Sequence, residues 1–138
     1  MSADRRLKRR LSKFATVRLV NPLVRPLLER ARLPGWALLE TRGRRTGLPR
    51  RVPLGDGLRG DAFWIVTEHG YAADYVKNIQ ADPRVRVKAR GRWRAGTARI
   101  LTDDDPETRM RWLGRPINDS MLRLVGTQQL TIRVDLDR

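Results

Sequence analysis

Residues 41–54, TRGRRTGLPRRVPL, place five arginines, two glycines and two prolines in fourteen positions. Glycine permits tight turns and lets backbone amides come close to a ligand. Arginine adds a planar, permanently charged fork that matches phosphate and carboxylate oxygens. The stretch separates two strand-like runs, so it reads as a turn that grips an anionic ligand. Its glycine-bounded center, Gly43-Arg44-Arg45-Thr46-Gly47, matches neither a GxGxxG fingerprint nor a P-loop.

Few other residues could do chemistry. The chain has no cysteine and one histidine, His69. Disulfides, thiolate metal sites and histidine-rich metal sites are therefore excluded, and a cytoplasmic protein is expected. A Ser/His/Asp triad would have to join His69 to Ser12 or Ser120, with nothing like a nucleophile elbow present. Asp103-Asp104-Asp105 precedes Pro106 and reads as a helix cap rather than a cation site. His69 follows a strand and precedes Gly70, where a side chain either faces a ligand or occupies a turn. Tyr75 and Asn78, three apart, share one helix face, and the tyrosine either stacks on a flat ring or fills the core. Trp36, Trp64, Trp93 and Trp112 read as core anchors; Trp93 alone is flanked by arginines, a weak sign of base stacking.

The net charge is +15 over 138 residues, and residues 1–51 hold fifteen Lys and Arg against Asp4, Glu29 and Glu40. Such asymmetry points to nucleic acid, an anionic membrane surface or a highly charged small ligand, with a solvated basic surface as the plain alternative.

The elements that must position these residues follow from pattern. Residues 1–34 read as a basic N-terminal helical segment, with Leu7, Leu11 and Phe14 on one face and Pro22 and Pro26 interrupting it. Such a segment lies on an anionic membrane, packs on the body or is simply disordered. Residues 35–138 read as one domain of about six antiparallel strands. They cover residues 36–42, 50–55 (an edge strand because of Pro53), 62–68, 84–90, 93–101 and 130–136. Helices are expected over residues 72–81, from Asp105-Pro106 to Gly114, and over 117–125. No βαβ repeat is present, so a small, mainly β antiparallel barrel with peripheral helices fits best.

Three motifs in order resemble the deazaflavin-dependent nitroreductase family, whose members use coenzyme F420 on a split β-barrel related to flavin-binding reductases. The arginine turn is similar to the family's T-x-GR[KR][ST]G-x-PR-x-x-PL. The strand from Phe63 to Val66 runs into Glu68-His69-Gly70. Tyr75-x-x-Asn78-x-x-x-Asp82-Pro83-x-Val85-x-Val87 is similar to W-x-x-N-x-x-A-[ND]-P-x-V-x-V. The resemblance implies that Arg44, Arg45 and Thr46 hold the phosphate and the start of the oligoglutamate tail. It places Arg50, Arg51, Val52, Pro53 and Leu54 along the deazaflavin and its ribityl chain. Val66, Thr67, Glu68 and His69 would add strand-end contacts, and Asp74, Tyr75, Val76, Lys77 and Asn78 would close over the cofactor. The implied reaction is hydride transfer from reduced F420 to a small hydrophobic acceptor: a quinone, nitro or enone compound. No catalytic acid is assigned, a proton being available from solvent, His69 or Tyr71. One departure is that residues 115–126 carry Ile117, Asn118, Met121 and Leu122 where family nitroreductases tend to have tyrosines. FMN is the alternative cofactor. The alternative functions are a non-catalytic F420-binding protein and a basic protein for nucleic acid or anionic membrane. A homodimer and a peripheral position on the membrane's inner face complete the expectations.

Overall fold

The computed structural model describes residues 34–67, 69–114 and 129–138. The expected N-terminal helix, Glu68 and the helix over residues 117–125 lie outside the described residues.

Seven strands and two helices are described. The order is β1 Trp36–Arg42, β2 Pro49–Gly55, β3 Leu58–Arg59, β4 Ala62–Val66, α1 Asp74–Ala81, β5 Arg84–Ala89, β6 Arg92–Leu101, α2 Pro106–Leu113 and β7 Thr131–Leu136. The strands form one antiparallel sheet in the order β2-β1-β5-β6-β7-β4-β3. Its outermost strands, β2 and β3, are joined directly through Asp56 and Gly57, so the sheet must curl to bring its edges together. The result is a curled half-barrel.

Two glycines make the curl sterically feasible. β6 pairs with β5 up to Thr97 and with β7 from Gly96 onward, so this long strand serves both halves. At the handover, a Cβ on Gly96 would lie 2.6 Å from the Asp135 carbonyl oxygen. Gly57 accepts the Trp64 amide at 2.9 Å. A Cβ there would sit 1.9 Å from the Trp64 carbonyl oxygen, which no side chain tolerates.

Alternation along the strands fills the inside. Ala37 and Leu39 of β1, Phe63 and Ile65 of β4, Val85 and Val87 of β5, and Ile132 and Val134 of β7 are buried in one core. α1 joins this core through Ala73, Val76 and Ile79, at the spacing of one helix face. α2 packs outside, where Met110 and Leu113 meet Val66 and Trp64. It starts at Pro106 after Asp105 and ends at Gly114, whose φ of 63° closes the last turn, as the sequence predicts.

The helix expected over residues 72–81 is α1, Asp74–Ala81, preceded by a 3₁₀ turn at Gly70–Ala72. Two expectations are corrected. The strands number seven, because Leu58 and Arg59 pair with Phe63 and Ala62 as a short strand. The tryptophans do not anchor the main core. Trp93 lies under the guanidiniums of Arg86 and Arg51, with centroid distances of 4.5 and 4.8 Å. Arg109 lies 4.0 Å over Trp64 and 4.7 Å over Trp112. Stacked guanidiniums cover aromatic faces while keeping their charge in water, so these rings remain half-buried or exposed on a basic surface.

Candidate functional site

The arginine turn is the hairpin between β1 and β2, and internal bonds close it tightly. The Gly43 amide donates to the Leu48 carbonyl at 2.8 Å and the Gly47 amide to the Gly43 carbonyl at 2.8 Å. The Thr46 hydroxyl accepts the Leu48 amide at 3.2 Å, which leaves its own proton free to donate outward. Gly47 has a φ of 74°, and a Cβ on Gly43 would lie 3.1 Å from both the Leu48 carbonyl and the Thr46 hydroxyl. Both glycines are thus set by the turn itself.

α1 holds this hairpin through one buried side chain. Asn78, 4% exposed, donates Nδ2 to the Thr41 hydroxyl at 3.0 Å. Its Oδ1 accepts the Arg44 amide at 3.2 Å and Arg44 Nη1 at 2.8 Å. The other guanidinium nitrogen of Arg44 lies 3.5 Å from the Asp74 carboxylate. The amides of the next two residues, Arg45 and Thr46, have no hydrogen-bond partner among the described residues and sit at the exposed tip of the loop.

The distribution of paired and unpaired cations is the most informative electrostatic feature. Most described arginines have a carboxylate: Arg42 with Asp82, Arg84 with Asp137, Arg90 with Asp56, Arg94 with Asp61, Arg99 with Asp135 and Arg109 with Asp104. Among the described residues, the side chains of Arg45, Arg50, Lys77, Arg92 and Arg111 make neither a hydrogen bond nor a salt bridge. The first three sit on the hairpin or on the helix tied to it. Arg50 Nε lies 3.4 Å from where a Gly43 Cβ would be, at the base of the loop. Lys77 is one helical step from Asp74, which touches Arg44.

β2 splits its residues between two faces. Leu39 and Thr41, on the inner side of β1, pair with Val52 and Arg50, and Ala37 pairs with Leu54. Val52, Leu54 and Tyr75 of α1 are half-buried against the main core. Val52 and Leu54 continue β2 away from the hairpin on the same side as Arg50. Arg51 and Pro53 face the other way. Arg51 Nε is 2.9 Å from Glu40, which also takes Arg86 Nε at 2.9 Å. Burial works to raise the Glu40 carboxyl, but bonds and charge from Arg86 and Arg51 outweigh it and hold the group below its ordinary value. A depression of about 290 Å³ on this outer side is bordered by Arg42, Arg84 and Arg86, whose charges are already met by carboxylates.

The remaining sequence-predicted residues divide sharply. Val76 is fully buried in the main core, and Val66 packs with Met110 and Leu113 beneath α2, so both support the site from behind. Thr67 is fully buried, and its hydroxyl accepts the Gly70 amide at 3.0 Å and the Leu130 amide at 3.1 Å. It fixes the turn that carries His69, which is 5% exposed. Asp74 and Lys77 are exposed on α1. The sequence reading missed Thr41, the partner of Asn78, although it is the first residue of the arginine motif; no role was attached to it because its bond closes only in three dimensions.

The family model described as F420H(2)-dependent quinone reductase matches residues 18–137. No curated protein matches the chain. A solved structure described as a domain-swapped dimer has a TM-score of 0.60 at 17% identity, covering 88% of this chain and 98% of its own. An F420-H2 dependent reductase has a TM-score of 0.57 at 19% identity, covering 75% and 95%. The heme storage protein HutZ from Vibrio cholerae has a TM-score of 0.56 at 11% identity, covering 85% and 89%. At these identities the three structures show the fold, a flavin-reductase-like split barrel. Among the described residues no helix is long and apolar enough to cross a membrane.

Proposed function

The chain belongs to the F420H2-dependent quinone reductase family, an oxidoreductase family that uses coenzyme F420, and from that membership we propose how its residues serve the reaction. The observation that carries the reading is the group of cations without side-chain partners among the described residues, Arg45, Arg50 and Lys77, on the hairpin and the helix tied to it, with Val52, Leu54 and Tyr75 half-buried on the same two elements. F420 combines a flat deazaflavin with a phosphate and a tail of carboxylates, and this donor set suits both parts. Arg45, Arg50, Lys77, the Arg45 and Thr46 amides and the Thr46 hydroxyl would take the anionic oxygens. Val52, Leu54 and Tyr75 would line the ring system, and the turn through His69 would border it from the end of β4. Bound there, the reduced cofactor supplies a hydride to the acceptor.

The protein's own contribution is position and exclusion of water. Charge-assisted bonds at the hairpin would fix one end of the cofactor, and Val52, Leu54 and Tyr75 would keep the ring out of solvent. The acceptor class we favor is a quinone, in keeping with the family's description. The test is to follow oxidation of reduced F420 with a quinone, a nitro compound and an enone in parallel. Preferential turnover of the quinone is expected; turnover of the nitro compound or enone alone would overturn the acceptor assignment.

A further inference from the structure

We infer that Asn78 is the positioning residue of the anion-binding hairpin, and that Arg44 acts with it as a clamp and is not itself a ligand of the anion. This inference rests on the assignment of the hairpin to the anionic end of the cofactor. Asn78 is 4% exposed, so its amide is enclosed by its partners. Those partners come from two different parts of the chain: Thr41 at the end of β1 and Arg44 in the loop, both held from α1.

The direction of each bond matters. Oδ1 accepts the Arg44 amide at 3.2 Å, which turns that N–H inward toward α1. The amides of Arg45 and Thr46 are then left at the exposed tip. Arg44 Nη1 is 2.8 Å from the same Oδ1 and 3.5 Å from the Asp74 carbonyl. Nη2 faces the Asp74 carboxylate at 3.5 Å. The fork is therefore aimed at the helix, and its charge is already met. Arg45, one residue on, has no such engagement. Asparagine suits the position because it both donates, to Thr41, and accepts twice, from Arg44.

Holding a loop in its binding conformation before the ligand arrives lowers the ordering cost of binding. Removing Asn78 should therefore weaken the hold on the ligand's anionic end while leaving the ring contacts intact. It should also make Arg44 redundant, since the two residues form one device.

The test is a double-mutant cycle read by cofactor fluorescence in the full-length protein, with oxidized F420 carrying its glutamate tail and with the tailless, phosphate-free deazaflavin as probes. Asn78→Ala and Arg44→Ala should each weaken binding of tailed F420 about tenfold, with the double variant no worse than the weaker single variant. Binding of the tailless probe should change less than about threefold in all three. Asn78→Asp, which keeps the acceptor for Arg44 and can receive the Thr41 hydroxyl proton, should restore most of the affinity. Additive losses, or an Asn78→Ala protein that binds like wild type, would overturn the clamp. If Asn78→Ala does not fold, Thr41→Val replaces it in the cycle, with the same criteria. If wild type binds F420 but the Arg45→Ala/Arg50→Ala protein binds it equally well, the hairpin assignment itself falls. If those losses occur and only the Asn78 effects do not, the clamp alone is wrong.

Discussion

Arg50 and Arg51 are adjacent in β2 and face opposite sides of the sheet. Arg51 is bound to Glu40 at 2.9 Å on the outer face, while Arg50 lies on the inner face with Val52 and its side chain makes no hydrogen bond or salt bridge among the described residues. The two arginines should therefore fail in different ways. Arg50→Ala should weaken F420 binding at least about tenfold while changing stability by less than about 0.5 kcal/mol. Arg51→Ala should cost about 1–2 kcal/mol of stability, because it strips a largely buried carboxylate of one partner, and should leave affinity nearly unchanged. Urea midpoints and cofactor titrations on the two variants check this.

The same Glu40 predicts how stability responds to acid. Its carboxyl ordinarily titrates near 4.5; burial raises it, but Arg86 and Arg51 prevail and lower it. Asp104 is lowered chiefly by its bond from Arg109. A carboxylate lowered on folding contributes stability that is fully present above its unfolded value and is lost as pH falls through its folded value. Stability should therefore be flat from neutral pH down to about pH 5 and decline below about pH 4.5. Glu40→Gln should be less stable than wild type at pH 7 and lose less than wild type on acidification. Denaturant midpoints at several pH values measure both.

Gly57 offers a test of the curl. A Cβ there would meet the Trp64 carbonyl oxygen at 1.9 Å. Gly57→Ala should cost at least about 3 kcal/mol, since the two backbones can separate only by opening the join between β2 and β3. A thermal midpoint close to that of wild type would show that the contact is not needed.

Much of this arrangement is legible in the sequence, for physical reasons. Alternation of Val85, Val87 and Ala89 with Arg84, Arg86 and Lys88 marks β5, and Asp105-Pro106 with Gly114 brackets α2. The arginine turn stands out because its residue types suit anions and tight turns. What is not legible is partnership across the fold. A linear reading treats Arg44 and Arg45 alike, and Arg50 and Arg51 alike. In the structure Asn78 and Asp74 take Arg44, and Glu40 takes Arg51. The tryptophans were read as core because large apolar rings usually are; their arginine partners on neighboring strands and helices come together only when the sheet curls. β3 was missed because two residues between glycines carry no pattern.

The central claim is that the unpartnered cations of the hairpin hold the anionic end of F420. The most direct measurement is a fluorescence titration of wild type and Arg45→Ala/Arg50→Ala with tailed F420 and with its tailless form. The double variant should lose at least about tenfold more affinity for the tailed cofactor than for the tailless one. Equal losses for both forms, or no loss for either, would contradict the account.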